Sequence, residues 1–319
     1  MNYGRMLAAG VALAALGAIS ATAAGAQNYP VKTVTLITHS SPGAGGDIFL
    51  RDLARVLAPA LGTNIVVENI SGGSGATAVA RVANAPADGS VFYGTTPTFI
   101  YTTLLSQPEF GYDSLDPLVN VFFDPEVLFT AANSPFTTLD DVMKKAREGN
   151  GRWGAANPAS LERQSLEMLK NVSGVNAAVV SHDGGGDMMI NVLNGTLDMG
   201  VGEIQELKGQ LEAGEIRLLA ALTEDRIAGF EDLPTVKDSG YDVAVRKFRG
   251  IAAPKGLPPE IVAAWEAAIP KVLEDPDFKS VYEPDSLQPA FMGDVEYSQF
   301  IDEFAEQTRG FLSETGVIE

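Results

Sequence analysis

Strand-length apolar runs alternate with helical patterns along nearly the whole chain, and this alternation restricts the fold to the α/β class. Residues 34–38 form an apolar run typical of a buried strand, and residues 47–61 then carry apolar side chains at helical spacing. Two more predicted strands, 64–68 and 91–95, enclose a helix of small residues. This order predicts a parallel sheet with helices on its faces, because crossovers between parallel strands pass over the sheet.

A second series of strands and helices begins near residue 126 and ends near residue 221. The C-terminal part differs, because the extended segment 250–254 is followed by helical patterns without new strands. These three helical patterns lie at 258–273, 277–282 and 295–312. Such helices must pack on an existing sheet, so we expect the chain to return to the first lobe. Crossings near 122–127 and 245–250 then predict a hinge with a cleft between two lobes.

The chain is thus predicted to contain a leader and two lobes. Their limits are 1–26 for a signal peptide, 27–124 plus 250–319 for lobe 1, and 125–249 for lobe 2. Each lobe is expected to hold an open, mostly parallel sheet covered by helices, joined to the other by two hinge crossovers. The leader combines an apolar stretch with the cleavage sequence Ala24-Gly25-Ala26, which predicts export to the periplasm. A membrane anchor is the alternative, since the apolar stretch is about long enough to cross a bilayer.

Composition restricts the classes of partner and cofactor that the chain can bind. The chain has no cysteine, which excludes disulfides and thiolate metal sites. Its net charge of −19 argues against nucleic acid or an anionic lipid surface as a partner. The same charge works against long-range attraction of an anionic ligand. We expect a monomer without a cofactor.

Glycines and small hydroxylated residues follow the predicted strands of the first lobe. In open α/β sheets, ligands bind beyond the carboxyl ends of the strands. Free N–H groups at a helix start favour an anion there, and Asp47 is expected to be an N-cap or first-turn residue whose side chain holds the loop. An ordinary turn is the alternative for each loop. The residues expected to bind ligand are Ser40, Ser41, Gly43, Ala44, Gly45, Gly46, Ser74, Thr96 and Thr98.

The second lobe repeats this pattern after its own strands. Five loops from two lobes could therefore line one cleft with hydrogen-bond donors from both sides. None of these loops contains a lysine or arginine, so we expect an anion to be held without a cationic side chain. The residues expected to close on the ligand from this lobe are Asn157, Ser160, Asp183, Gly184, Gly185 and Gly186.

Catalytic motifs are weakly represented. Ser41, His182 and Asp183 could be written as a hydrolase triad, but no G-x-S-x-G sequence accompanies them. The two histidines with Asp183 and Asp187 match no zinc or calcium motif, so no metal site is expected. A binding protein is therefore the leading hypothesis, and a periplasmic serine hydrolase is its rival.

Several strings of the sequence, in this order and spacing, resemble the substrate-binding proteins of tripartite tricarboxylate transporters, the Bug or TctC-like family. The resemblance extends over nearly all of the mature chain. Strings that carry it include Pro42-Gly43-Ala44-Gly45-Gly46-Asp47, Asp183-Gly184-Gly185-Gly186-Asp187, Leu193-Asn194-Gly195-Thr196-Leu197-Asp198 and Arg249-Gly250-Ile251-Ala252-Ala253-Pro254.

This resemblance implies a periplasmic-binding-protein (Venus flytrap) fold that closes on a small organic carboxylate and delivers it to membrane transporter subunits. Two positions depart from the family pattern, since Ser40 and His182 stand where many members have aromatic residues. Both are expected to touch or flank the ligand, and titration of His182 near neutral pH could make binding pH-dependent. Citrate, C4-dicarboxylates, aromatic acids and amino acids all remain open as ligands. A ligand-sensing subunit of a signalling system is an alternative role.

Overall fold

The computed structural model describes residues 29–319, so the predicted signal peptide lies outside the described residues. Two β-sheets are covered by helices, and the chain enters the first sheet before the second. The first stretch contains β1 (Thr33–Thr38), α1 (Gly45–Leu61), β2 (Asn64–Asn69), α2 (Ala76–Ala83), β3 (Val91–Thr95), α3 (Pro97–Ser106) and β4 (Leu115–Asp124).

The middle of the chain builds the second sheet, and the remainder returns to the first. The middle contains β5 (Glu126–Ala131), α4 (Leu139–Arg147), β6 (Arg152–Ala155), α5 (Leu161–Ser173), β7 (Ala178–Ser181), α6 (Gly185–Leu193), β8 (Met199–Glu203), α7 (Ile204–Glu212) and β9 (Ile216–Ala221). The remainder contains β10 (Lys247–Pro254), α8 (Pro259–Leu273), α9 (Pro276–Tyr282), β11 (Gln288–Met292) and α10 (Asp294–Glu314).

Strand order explains how the two sheets are connected. The first sheet has the order β11-β4-β10-β3-β1-β2, and the second has the order β7-β6-β8-β5-β9. Strand β1 is parallel to β2 and β3, whereas β10 is antiparallel to both β3 and β4. The two-lobe α/β architecture agrees with the prediction, but each sheet is mixed where a mostly parallel one was expected. The strands that carry the chain between the lobes, β4, β5 and β10, all have antiparallel neighbours.

Three elements were absent from the sequence prediction. Helix α3 replaces an expected loop, β4 occupies a stretch given no assignment, and β11 adds a strand to the C-terminal part. Strand β10 also starts at Lys247 rather than Gly250, and Lys247 is paired with Asp124 across the first sheet. The exact division of the chain into lobes stays a prediction.

An aromatic cluster packs strand β10 against the C-terminal helix. Phe248 is fully buried, and its ring centroid lies 5.5 Å from that of Phe300 and 5.3 Å from that of Phe304. Tyr297 of α10 also meets Phe248, and its hydroxyl hydrogen bonds with Thr95 at 2.6 Å. The cluster therefore fixes the strand that enters the first lobe from the hinge. None of the helices in residues 29–319 is both long and apolar enough to cross a membrane.

We predict that Phe248→Ala lowers the free energy of unfolding by about 3–5 kcal/mol, because it removes a fully buried ring and leaves a cavity. Phe291→Ala is the matched control, since Phe291 is 38% exposed, and its cost should be below about 1 kcal/mol. Urea unfolding of both variants measures the difference. Equal losses would show that the cluster is not a main source of stability.

Candidate ligand-binding cleft

A cavity of about 60 Å³ lies between the two lobes. One water molecule needs roughly 10–15 Å³ of such space, so the closed cleft holds only a few waters or a small ligand. The first lobe contributes His39, Ser40, Ser41, Ala44, Gly45, Gly46, Thr96 and Thr98 to its lining. The second lobe contributes Ala156, Asn157, Glu162, Asp183, Gly184, Gly185, Glu203 and Glu206, and strand β10 contributes Lys247 and Arg249.

The loop before α1 is held in place by a buried aspartate. Asp47 Oδ2 accepts from the N–H of Gly43 at 2.8 Å, and its Oδ1 accepts from Asn69 at 2.9 Å. Asn69 also donates to the Ser40 carbonyl at 2.9 Å. Asp47 therefore organises the loop, as predicted from its place at the helix start, and does not line the cavity.

Small residues at the start of α1 leave space for neighbouring side chains. A Cβ at Gly45 would lie 2.6 Å from the Arg249 guanidinium and 3.2 Å from a Glu203 carboxylate oxygen. Gly45 and Gly46 are the first residues of the helix, where N–H groups have no acceptor within the helix. Their N–H groups can therefore donate to an anion in the cavity.

Loops of the second lobe face this helix across the cavity. Helix α6 begins at Gly185 with Gly184 in extended conformation before it. A Cβ at Gly184 would lie 3.5 Å from Ser41 Oγ, so the lobes are close here. Beside the cleft, Leu161 at the start of α5 is buried in one apolar cluster with Phe99 and Tyr101 of α3. The structure is thus the closed form, with contacts between lobes on the flank of the cavity.

Five of the predicted ligand contacts lie outside the cavity lining. They are Gly43, Ser74, Ser160, His182 and Gly186. Ser160 caps α5, where its hydroxyl accepts from the Arg163 N–H at 3.1 Å. The Ser74 carbonyl accepts from Thr102 at 2.7 Å, and His182 Nδ1 lies 3.3 Å from the Ala155 carbonyl. Whether these residues contact ligand stays a prediction.

The cleft contains two buried cations, so the expectation of a cleft without cationic side chains was wrong. Lys247 Nζ donates to Glu126 at 3.0 Å, to Glu162 at 2.6 Å and to Glu203. Arg249 donates to Asp124 at 2.8 Å and to Glu203 at 2.7 Å. The loops do lack lysine and arginine, but strand β10 supplies both from the hinge. These two cations and the carboxyl groups around them are called the hinge cluster below.

Three carboxylates of the hinge cluster have the spacing of a metal site. Oxygens of Glu126, Glu162 and Glu203 all lie within 4.8 Å of one another. The Lys247 ammonium donates a hydrogen bond to each of them, so it fills the place that a metal ion would need. The geometry therefore favours an ion cluster over a metal centre.

Burial shifts the pKa values of several groups in and around the cleft. It raises the pKa of Glu126 to about 8 and that of Asp124 to about 6, because a buried carboxylate loses its hydration. It lowers the pKa of His39 to about 4, with help from the positive charges of Arg249 and Lys247. Neutral His39 is paired with the Tyr93 hydroxyl at 2.7 Å.

The arrangement gives no support to a hydrolase triad. Within residues 29–319, no hydrogen bond joins His182 to Ser41 or Asp183, and His182 is turned toward the Ala155 carbonyl instead. Helix starts, hydroxyls and a hydrogen-bonded ion cluster surround a closed space, which suits binding of a small polar molecule.

Comparison with known proteins identifies a family that covers nearly the whole described chain. A family described as "Tripartite tricarboxylate transporter family receptor" matches residues 49–317. The chain belongs to this family. Similar proteins include BugT of Bordetella pertussis, which is 25% identical over 99% of this receptor and 99% of its own length. A UPF0065 protein of Cupriavidus necator is 26% identical over 98% of this receptor and 95% of its own length.

Solved structures share the fold of this receptor. The periplasmic binding protein BugD has a TM-score of 0.84 and 22% identity, covering 91% of this receptor and 99% of BugD. The R. palustris protein Rpa4515, solved with adipate, has a TM-score of 0.85 and 26% identity, covering 90% and 98% of the two chains. MatC of Rhodopseudomonas palustris, solved with malate, has a TM-score of 0.79 and 22% identity, covering 88% of this receptor and 99% of MatC. The predicted family and two-lobe fold are confirmed.

We predict that Glu126 makes the receptor less stable as pH rises. The folded-state pKa of about 8 exceeds the ordinary value of 4.5, so the folded form retains a proton that the unfolded form has lost. The contribution of Glu126 is therefore full below pH 4.5 and is lost as pH rises through 8. Relative to that of Glu126→Gln, the free energy of unfolding of wild type should fall by more than about 1 kcal/mol between pH 5 and pH 8.

Urea unfolding of both proteins at the two pH values tests the direction of this change in stability. Glu296→Gln, at an exposed position on α10, is the control and should follow wild type. A wild type that gains stability over Glu126→Gln from pH 5 to pH 8 contradicts the prediction.

Proposed function

We propose that this receptor captures a small organic carboxylate between its lobes in the periplasm and delivers it to the membrane subunits of a tripartite transporter. The observation that supports this most strongly is that α1 and α6, from opposite lobes, both begin at one cavity. Each helix N-terminus carries a partial positive charge and free N–H groups, which together favour a carboxylate.

Two solved structures that share this fold support the ligand class. Rpa4515 was solved with adipate and MatC with malate, both of which are small dicarboxylates. The small cavity of this receptor agrees with a compact ligand, and a longer one requires the lobes to part. Hinge opening for entry and closure for capture follow from two lobes joined by crossing strands.

Binding should depend on Gly45, because only a hydrogen atom at that position leaves room for the Arg249 guanidinium. In Gly45→Ala the new methyl group displaces the guanidinium and narrows the approach to the N–H groups of α1. We expect at least tenfold weaker binding of whichever acid binds wild type.

Gly310→Ala is the matched control, since a Cβ at Gly310 meets nothing within 4 Å. A thermal-shift screen of small mono-, di- and tricarboxylates on wild type identifies the acid, and calorimetry on both variants gives its affinity. An acid at 100 times its Kd should add about 2.7 kcal/mol to wild-type stability. Failure of every acid to shift wild type, or binding only of cations, contradicts the proposed function.

A further inference from the structure

A pocket beside the hinge is larger than the ligand cleft and has no part in the proposed function. Its volume is about 680 Å³, compared with about 60 Å³ for the cleft. Small-molecule sites usually occupy about 300–1,000 Å³. Helix α10 contributes Phe300, Phe304 and Phe311 to its lining, and α5 contributes Leu161 and Met168. The space between these five residues is called the flank pocket below.

The two helices of the flank pocket belong to different lobes. Helix α10 packs on β4 of the first sheet, whereas α5 packs on β6 and β7 of the second. Tyr101 of α3 shares a buried apolar cluster with Leu161, and both line the pocket, so the lobes are in contact here. Hinge opening moves α5 relative to α10, so the pocket has this shape only in the closed form. A molecule that contacts both helices therefore favours the closed form.

Lys247 connects the flank pocket with the ligand cleft. This buried residue lines both spaces, and its ammonium group is held by the three glutamates of the hinge cluster. Asp124 also lines the flank pocket, and its Oδ2 accepts from Arg249 of the cleft at 2.8 Å. The hinge cluster therefore lies between the two spaces, and a change of hinge angle affects both.

Partly exposed aromatic rings line the flank pocket. Phe123 of β4, Phe300 and Phe304 are all half-buried. The ring centroid of Phe300 lies 5.8 Å from that of Phe123 and 6.2 Å from that of Phe304. The Arg246 guanidinium lies over the Phe123 ring, 5.0 Å from its centroid, so one of these rings already meets a cation. The lining therefore suits a molecule that stacks on aromatic rings, and a positive charge is compatible with them.

The charged side chains around the flank pocket favour a cationic ligand. Glu303 of α10 and Asp225 after β9 line it at exposed positions. Within residues 29–319, neither carboxylate is in an ion pair, whereas Glu224 of the lining is paired with Lys237 at 2.6 Å. Arg246 is the exposed cation of the lining, so two unpaired carboxylates stand against one guanidinium. The net charge of −19 also attracts cations at longer range.

We propose that the flank pocket is a second binding site, which takes a small molecule with an aromatic ring and an ammonium group. The ring stacks on the phenylalanines of α10, and the ammonium group meets Glu303 and Asp225. Because such a molecule contacts both lobes, it and the acid in the cleft each strengthen the binding of the other. The site itself goes beyond the proposed function, and only this coupling rests on it.

Calorimetry with 2-phenylethylamine tests the site on the mature chain. A ligand of this size should bind at one site per chain with a Kd of about 1 mM or lower. 2-Phenylethanol keeps the ring and butylamine keeps the ammonium group, and each should bind at least fivefold more weakly. If either binds as tightly as 2-phenylethylamine, or if 2-phenylethylamine does not bind, the proposal is wrong.

Variants on the pocket lining locate the site. Gln307→Trp places a ring in the pocket from an exposed position on α10 and should abolish binding. Glu306→Trp, at an exposed position outside the lining, is the matched control and should bind like wild type. Glu303→Gln with Asp225→Asn should weaken 2-phenylethylamine at least fivefold, whereas Glu306→Gln with Asp232→Asn removes the same charge elsewhere and should not. Binding that survives Gln307→Trp contradicts the proposed site.

The acid identified by the thermal-shift screen measures the coupling. Saturating 2-phenylethylamine should tighten the binding of this acid to wild type at least threefold, and it should have no such effect on Gln307→Trp. An amine that binds without changing the affinity of the acid contradicts the coupling and leaves the proposed function intact. If the amine binds and no acid does, the proposed function fails and the second site stands.

Discussion

The hinge cluster is the interaction on which the rest of the structure depends. Lys247 and Arg249 lie on a strand of the first sheet, whereas Glu162 and Glu203 come from the second lobe. Their hydrogen bonds therefore set the angle between the lobes in the closed form. A buried ion pair adds little net stability, but loss of one partner leaves a charge without compensation and costs about 3–5 kcal/mol. The cluster thus specifies one closed geometry more than it strengthens the fold.

Ligand recognition depends on the hydrogen-bonding groups of the cleft that the hinge cluster does not use. Lys247 donates all three of its hydrogens within the cluster, whereas Arg249 donates through Nε and Nη2 only. The groups that face a ligand are therefore the starts of helices, Arg249 and the remaining carboxyl oxygens. Helices α1, α3, α5, α6 and α7 all begin with residues that line the cavity. Each helix start contributes about half a positive charge, so together they offset much of the negative charge of the carboxyl groups. A space with this balance of charge suits a small carboxylate.

The periodicity of the sequence predicted the main strands, the two lobes and most of the loops that meet at the cleft. Helix α3 was missed, although Thr96 followed by Pro97 is a helix-start signal and the Thr96 hydroxyl does accept from the Thr98 N–H. Lys247 and Arg249 stand two residues apart, which places them on one face of a strand. Their partners come from distant parts of the chain, and a strand pairing across a hinge leaves no local pattern. The composition of the loops therefore could not predict the cations of the cleft.

The acidic composition of the chain and the binding of an acid are compatible because they act at different distances. At physiological ionic strength, screening reduces the field of surface charges within about 8 Å, so the net charge of −19 has little effect inside a closed cleft. The charges that decide binding are the few within the cavity, where hydration is weak and each hydrogen bond counts more. An acidic surface provides no steering toward an anion. Selection must then occur after entry, when closure brings the helix starts of both lobes against the same molecule.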